Sequence, residues 1–332
     1  MGGNSLGSPI LTEVPAAPGR VGRPWRPRWL RRPRFQAPSW MSSLPFHLLL
    51  LTLTVLSTLA VGVQIAADYA SHRPAFSLDF SPNLFQSLWH HPAELSSGVP
   101  FSFTLLGILL GHELGHFLTC RYYGLRASYP YFLPAPTLIG TLGAFIRIRS
   151  PILTRRMLFD VAVAGPIAGF VLAVPALSVA VLHSRAGPVI AVPDTITLGH
   201  PLALVLLARL LRPGIAPAQL ALTPVGCAAW VGLFATALNL LPMSQLDGGH
   251  ILYATFGRKH RLFSRGFWLA LLPLGYFWPG WFVWAGMVGL IGLGHPPVLF
   301  PFDTIGRSRQ VLAMVAAAIF VLCFVPSPFS VH

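Results

Sequence analysis

Two histidines flank a glutamate in the sequence HELGH, residues 112–116. In a helix, residues four apart lie one turn apart on the same face, so His112 and His116 can both reach one metal ion at about 2.0–2.1 Å. Glu113 follows the first histidine and can take a proton from water that the metal activates. The pattern therefore predicts a metal-dependent hydrolase with Glu113 as its general base.

A third metal ligand must come from elsewhere, because catalytic zinc commonly has three protein ligands and one open position. The candidate is Asp247, in the sequence NLLPMSQLDGGH of residues 239–250. Pro242 ends the preceding helix, and Gly248 and Gly249 let the backbone approach another segment closely. The alternative is that Asp247 only caps the helix that follows it.

The composition places these residues in a membrane protein. Of the 332 residues, 54% are hydrophobic and only 10% are charged, whereas soluble domains carry about 25% charged residues. The net charge of +14 comes from basic residues in the gaps between apolar runs, so it predicts membrane topology and no nucleic-acid partner. The three cysteines are scattered and predict neither disulfides nor a thiolate metal site.

Several apolar runs are long enough for the roughly 20 helical residues that cross a bilayer. The run 266–293 is interrupted by the sequence WPG, which predicts two short membrane segments or a hairpin, and 201–211 is predicted to be an interfacial helix. The fold class is therefore an all-α polytopic membrane protein with about six transmembrane segments in the lipid bilayer. The predicted spans are 44–67, 99–120, 157–182, 223–243, the run 266–293 and 311–325.

The basic residues also predict the orientation. With the N-terminus in the cytoplasm, 19 of the 23 lysines and arginines lie inside and 4 outside. Residues 1–43 are rich in Pro, Gly and Arg and predict a disordered basic cytoplasmic tail, unless Met41 is the true start. Residues 44–332 form the predicted catalytic domain, with a core at 99–297, in a bacterial inner membrane or, alternatively, a plastid membrane.

One stretch between the spans does not read as a helix. Residues 138–148, LIGTLGAFIRI, combine β-branched residues with spaced glycines and predict a short membrane-associated β-hairpin. Upstream, Pro130, Pro134 and Pro136 forbid a regular helix. An interfacial loop is the alternative.

Two further polar residues stand beside these motifs. Asp160 lies about one turn into its apolar run, where acids are costly and usually functional. We expect it to support the site from behind by bonding the 138–148 region or Arg155 and Arg156. His250 is predicted to bond and orient the Asp247 carboxylate, and the alternative is that it only faces the interface.

The motifs together resemble the site-2 protease family of intramembrane zinc metalloproteases. The resemblance rests on HELGH inside a span, followed by NLLP at 239–242 and LDGGH at 246–250, with AGP at 164–166 and GTLG at 140–143 between them. It covers residues 99–297 and leaves no room for an inserted PDZ domain. The chain therefore resembles the compact branch, as in cyanobacterial and plastid members.

The resemblance implies zinc-dependent hydrolysis of a peptide bond in or near the transmembrane segment of a membrane protein, with a single-span substrate expected. It implies that His112, His116 and Asp247 bind Zn²⁺ and that Glu113 is catalytic. It also implies that Asn239 contacts the substrate backbone. The residues Gly140, Thr141 and Gly143 would lie in an edge strand that pairs with the unwound substrate. For Asn239 the alternative is an amide that bonds between spans.

Two other functions use the same residues. A polytopic transporter predicts an internal repeat with matching broken helices, but the sequence has no second copy of HxxxH or of LDGG. A catalytically inactive membrane scaffold of the same fold is disfavoured by the intact Glu113. The sequence leaves the substrate and the oligomeric state open.

Overall fold

The computed structural model describes residues 39–73, 76–77, 92–187, 195–296 and 298–331. Most of the predicted tail, residues 1–38, lies outside the described residues. The helices are α1 (Leu44–Ala70), α2 (Leu95–Tyr122), α3 (Arg155–His183), α4 (Leu202–Leu211), α5 (Pro224–Asn239), α6 (Asp247–Phe256), α7 (His260–Leu274), α8 (Gly280–Ile291) and α9 (Gly306–Cys323). The strands are β1 (Phe76–Ser77), β2 (Tyr131–Pro134), β3 (Thr141–Phe145), β4 (Arg185–Ala186), β5 (Thr195–Leu198), β6 (Leu220–Ala221) and β7 (Phe329–Val331).

Four of the described helices, α1, α2, α3 and α9, are long and apolar enough to cross a membrane, and α4, α5 and α8 are shorter apolar helices. This confirms the predicted class, a mostly helical polytopic membrane protein. Helix α5 is shorter than its predicted span 223–243, because the backbone leaves the helix after Asn239 and turns toward α6. The run 266–293 is broken where predicted, and α7 and α8 pack against each other.

Helix α2 lies at the centre of the bundle and packs against α1, α3 and α5. Small residues allow the backbones to approach. A Cβ at Gly98 would lie 2.3 Å from the Leu59 carbonyl oxygen of α1, and one at Gly115 would lie 2.5 Å from the Ala164 carbonyl oxygen of α3. The metal-binding motif is therefore on a helix that neighbouring backbones hold tightly.

A β-hairpin follows α2, but its extent differs from the prediction. Only β3 lies within 138–148, and its partner β2 comes from the proline-rich stretch upstream, with Tyr131 opposite Phe145 and Phe132 opposite Ala144. Pro134 is tolerated because it lies at the end of β2, where the register shifts. The Ser57 hydroxyl of α1 donates to the Gly140 carbonyl at 2.6 Å and fastens the turn to the bundle.

Short strands gather at the other end of the long helices. Strand β5 lies between β1 and β7 in an antiparallel sheet, and β4 pairs with β6. Trp230 of α5 donates from its indole nitrogen to the Gly199 carbonyl at 2.7 Å. These contacts connect the segments that follow α3 and α9 with those that precede α4 and α5.

Candidate metal centre

Three side chains from two helices meet at one point. His112 and His116 lie on α2, and Asp247 is the first residue of α6. Their ligand atoms are close together: His112 Nε2 lies 3.1 Å from His116 Nε2 and 3.2 Å from Asp247 Oδ2, and His116 Nε2 lies 3.3 Å from the same oxygen. The structure therefore brings the three predicted ligands together.

The spacing fits a zinc ion. Ligands at about 2.0–2.1 Å in a tetrahedron are separated by about 3.3 Å, and the three observed separations are 3.1–3.3 Å. Two imidazoles and a carboxylate are also a donor set that catalytic zinc uses, with a fourth position left open. His112, His116 and Asp247 could thus hold the metal.

The orientation of His116 is set by α3. Its Nδ1 donates to the Val161 carbonyl at 2.7 Å, so the neutral ring presents an unprotonated Nε2 to the metal position. The ring lies directly over Gly165, where a Cβ would come within 2.2 Å of Nε2. The glycine of the AGP sequence therefore makes space for a metal ligand.

Asp247 reaches the histidines from the start of α6. The N-cap of α6 is Leu246, so Asp247 is inside the first turn and its side chain points at the two imidazoles. Asp247 is therefore not the N-cap residue of α6, which differs from the alternative that it only caps this helix. Gly248 lies against the end of α5, where a Cβ would be 2.1 Å from the Leu240 carbonyl oxygen.

Two other predicted residues lie at the centre. Glu113 is buried, with 6% of its surface exposed, and the backbone amide of Ile146, just after β3, lies beside its carboxylate. Asn239, the last residue of α5, has its Nδ2 3.4 Å from His112 Nε2. A carboxylate and an amide thus border the metal position, and the end of the hairpin lies beside the carboxylate.

The hairpin residues have different surroundings. Thr141 is buried, and its hydroxyl donates to the Leu133 carbonyl at 2.8 Å across the hairpin. Gly140 and Gly143 both have positive φ, at 76° and 101°. Among the described residues, no strand pairs with β3 on the edge away from β2.

The predicted supporting residues bond to other partners than expected. The His250 ring bonds His295 at 2.6 Å, and in the described part of the chain it has no hydrogen bond to Asp247. The prediction that Asp160 bonds the 138–148 region or Arg155 and Arg156 was also wrong. Its carboxylate accepts from the Arg309 guanidinium at 2.8 and 2.6 Å and from the Tyr123 hydroxyl. Asp160 joins α3 to α9, because the arginine comes from a helix that sequence spacing could not place.

The sequence did not predict the residues that contact the candidate ligands or their helices and fix their positions. Besides Val161, these include Arg155, whose guanidinium donates to the Ala254 and Thr255 carbonyls at the end of α6 at 2.8 and 2.9 Å. That contact fastens the helix that begins with Asp247. The glycines at 165 and 169 form a small-xxx-small pattern, a signal that could have identified α3 as the neighbour of α2.

Comparison with known protein families identifies the family of this chain. The model of peptidase family M50 matches residues 100–271, which include HELGH and LDGGH. The chain belongs to peptidase family M50. The resemblance to the site-2 proteases is thereby confirmed. No solved structure matches the chain.

Curated relatives extend the family match. The chain is 33% identical over 295 residues to the probable zinc metalloprotease EGY1, chloroplastic, of Oryza sativa subsp. japonica, covering 84% of this chain and 50% of the relative. It is 34% identical to the Arabidopsis thaliana EGY1 over 70% of this chain and 43% of the relative. Arabidopsis EGY2 is 30% identical over 71% and 43%. The chain spans about half the length of these relatives.

Proposed function

We propose that this M50 member is a zinc-dependent endopeptidase that cuts a peptide bond in or near the transmembrane segment of a membrane protein. The observation that carries the proposal is the meeting of His112, His116 and Asp247 at 3.1–3.3 Å beside Glu113. Both histidines and the glutamate lie on a helix that is apolar enough to cross a membrane. Family membership and the zinc metalloprotease names of the relatives support it.

Each residue has a role in this proposal. A bound zinc ion supplies Lewis-acid activation of water and of the scissile carbonyl. Glu113 takes the proton from the attacking water and returns it to the leaving amide nitrogen. The Asn239 amide donates to the oxygen on which negative charge develops during attack. Burial of Glu113 keeps bulk water from the carboxylate and strengthens these interactions.

The substrate must reach this site as an extended strand, because a helix hides its carbonyls in hydrogen bonds. The edge of β3 away from β2 is available for pairing in the described part of the chain, and β3 leads directly to the amide beside Glu113. A substrate strand added at this edge would carry its backbone toward the metal position. Gly140, Thr141 and Gly143 shape the edge.

The proposal extends to the kind of substrate, the extent of the catalytic core and the membrane. We take the substrate to be a single-span protein and residues 99–297 to be the catalytic core. The distribution of basic residues supports a cytoplasmic N-terminus, and we take the membrane to be a bacterial inner membrane. The chloroplastic names of the relatives support a plastid membrane as the alternative.

Metal dependence tests the proposal. The full chain is purified in neutral detergent, stripped with a chelator, and assayed with a single-span reporter before and after one equivalent of Zn²⁺. We expect cleavage to be lost on stripping and restored by zinc. Cleavage that persists in the stripped protein, at a confirmed zinc content near zero, would exclude a metallopeptidase.

A further inference from the structure

A cavity lies at the opposite end of the bundle from the metal centre. It has a volume of about 1060 Å³ and is bordered by the ends of α1 and α3, by α4 and by the short strands β4, β5 and β6. Ser184, in its wall, follows Gly165 by 19 residues, almost all in α3, which corresponds to about 28 Å along the helix. The cavity is therefore separate from the peptidase site.

The cavity is cationic. Arg73, Arg185 and Arg212 line it together with His72 and His200, and no carboxylate is among the lining residues that the structure describes. With only 10% charged residues in the whole chain, three arginines around one cavity are a concentration of positive charge. An anionic ligand is the chemistry that such a cavity would bind.

Local contacts hold two of the guanidinium groups in place. Arg185 donates from Nη1 to the Tyr69 carbonyl at 2.9 Å and lies 4.5 Å over the Tyr69 ring. Arg212 donates from Nη1 to carbonyls at the end of α3, including Ser184 at 3.0 Å. Among the described residues these side-chain bonds use Nη1 alone, so each fork keeps N–H groups for a ligand.

Helix ends offset only part of this positive charge. Arg212 lies at the carbonyl end of α3 and Arg185 donates to Tyr69 in the last turn of α1, and a helix C-terminus carries partial negative charge. No carboxylate pairs with either arginine, or with the exposed Arg73, among the described residues. The three arginines therefore leave an excess of positive charge at the cavity.

The remaining wall is apolar and lies at the ends of two helices that are long enough to cross a membrane. Leu204 of the short apolar helix α4, Leu220 and Val325 line the cavity beside the arginines. The long helices α1 and α3 end at Ala70 and His183, three residues before Arg73 and two residues before Arg185. A ligand that fits both walls has an anionic head and an apolar body. Membrane lipids have this chemistry, and their headgroups lie at the ends of transmembrane helices.

We propose that this cavity binds the headgroup of an anionic membrane lipid, with the phosphate or sulfonate held by Arg73, Arg185 and Arg212. The volume of about 1060 Å³ is slightly above the roughly 300–1,000 Å³ typical of small-molecule sites, so the cavity has room for a lipid headgroup. The bound lipid would join the ends of α1 and α3 to α4. An acidic peptide matches the charges but not the apolar wall.

Native mass spectrometry of the full chain in neutral detergent tests the proposal. The probes are dioctanoyl phosphatidylglycerol, dioctanoyl phosphatidylcholine, inorganic phosphate and a polyglutamate peptide. We expect one phosphatidylglycerol to bind at least about tenfold more tightly than phosphatidylcholine, since each cation near a membrane surface contributes about a fivefold factor and the cavity has three. The double variant Arg73→Gln/Arg185→Gln should lose this preference.

Matched variants separate the cavity from general charge and from misfolding. Arg258→Gln/Arg265→Gln removes two exposed cations elsewhere and should keep the preference. Ala218→Trp keeps every charge but fills the cavity from its wall, and it should abolish binding without lowering the melting temperature. Phosphate or polyglutamate that displaces the lipid at equal concentration would overturn the lipid assignment. Unchanged lipid preference in either cavity variant would overturn the site itself.

Discussion

The ring of His116 lies against Gly165 so closely that a Cβ atom there would be 2.2 Å from the nitrogen that faces the metal position. The same ring is held on its other side by the Val161 carbonyl, one turn earlier in α3. A candidate metal ligand on α2 is thus positioned by the backbone of α3. A change in the packing of α2 against α3 at Gly165 would therefore also move the His116 nitrogen that faces the metal position.

The first prediction is that Gly165→Ala loses zinc. The added methyl group must displace the His116 imidazole, so bound zinc and activity should both fall by at least about tenfold, as for residues that orient metal ligands. Elemental analysis of the purified protein measures the zinc content. Gly107→Ala on α2 is the control, because a Cβ there meets no atom within 4 Å and should leave zinc unchanged. Equal zinc in both variants would mean that the contact does not constrain the ligand.

The second prediction concerns the third ligand. Asp247→Ala should reduce zinc affinity, because the two imidazoles alone leave the ion with half of a tetrahedral set. Asp303→Ala is the matched carboxylate removal: Asp303 accepts from the backbone amides of Arg155 and Arg156 at the start of α3. That variant should lower the melting temperature and keep zinc. Full zinc occupancy in Asp247→Ala would place the third ligand elsewhere.

The third prediction is that Asp160 stabilises the fold and does not serve the metal. Its bonds to Arg309 at 2.8 and 2.6 Å join α3 to α9, and both side chains are partly buried. Arg309→Leu leaves a carboxylate without its counter-ion and should cost about 1–3 kcal/mol, somewhat less than in a fully buried pair. The double variant Asp160→Leu/Arg309→Leu should recover most of the loss. Thermal unfolding of the wild-type protein and these variants measures the loss and the recovery of stability. Zinc content should stay constant in all of them. A loss of zinc in the double variant would contradict a purely structural role for Asp160.

Much of the metal centre could be predicted from sequence because its chemistry is local. HELGH needs only the helical repeat to put two imidazoles on one face, and an acid before two glycines in an apolar chain leaves few alternatives. The partners of Asp160 and His250 could not be predicted. Arg309 and His295 are 149 and 45 residues away, and only the packing of α9 and of the segment after α8 brings them near.

The β-hairpin illustrates the same limit. Alternation and glycines marked β3 correctly, but the pairing strand lies in a proline-rich stretch whose propensity opposes a strand. Tertiary contacts determine that this stretch forms a strand, since β2 packs against α1. Pro134 lies at the end of β2, where its missing N–H group is not needed for a hydrogen bond to β3.

The fourth prediction concerns substrate unwinding. If the peptide pairs with β3 in extended form, a less stable substrate helix should be cut faster. Each Ala→Gly change near the scissile bond weakens the helix by about 1 kcal/mol and should raise the rate up to about fivefold. The same change at the far end of the substrate span is the control. Initial rates that are equal for both positions argue against unwinding at the active site.

The last prediction concerns Glu113, which lies between two ligands without serving as one. Glu113→Gln removes the base and keeps the size of the side chain, so zinc should be retained while cleavage of a single-span reporter falls by about 10²–10⁴-fold. Glu94→Gln, the same substitution at the exposed start of the same helix, is the control and should leave both unchanged. The decisive measurement is the cleavage rate per bound zinc for the three proteins. The account predicts a loss for Glu113→Gln alone, and a rate within about twofold of the wild-type protein in that variant would contradict it.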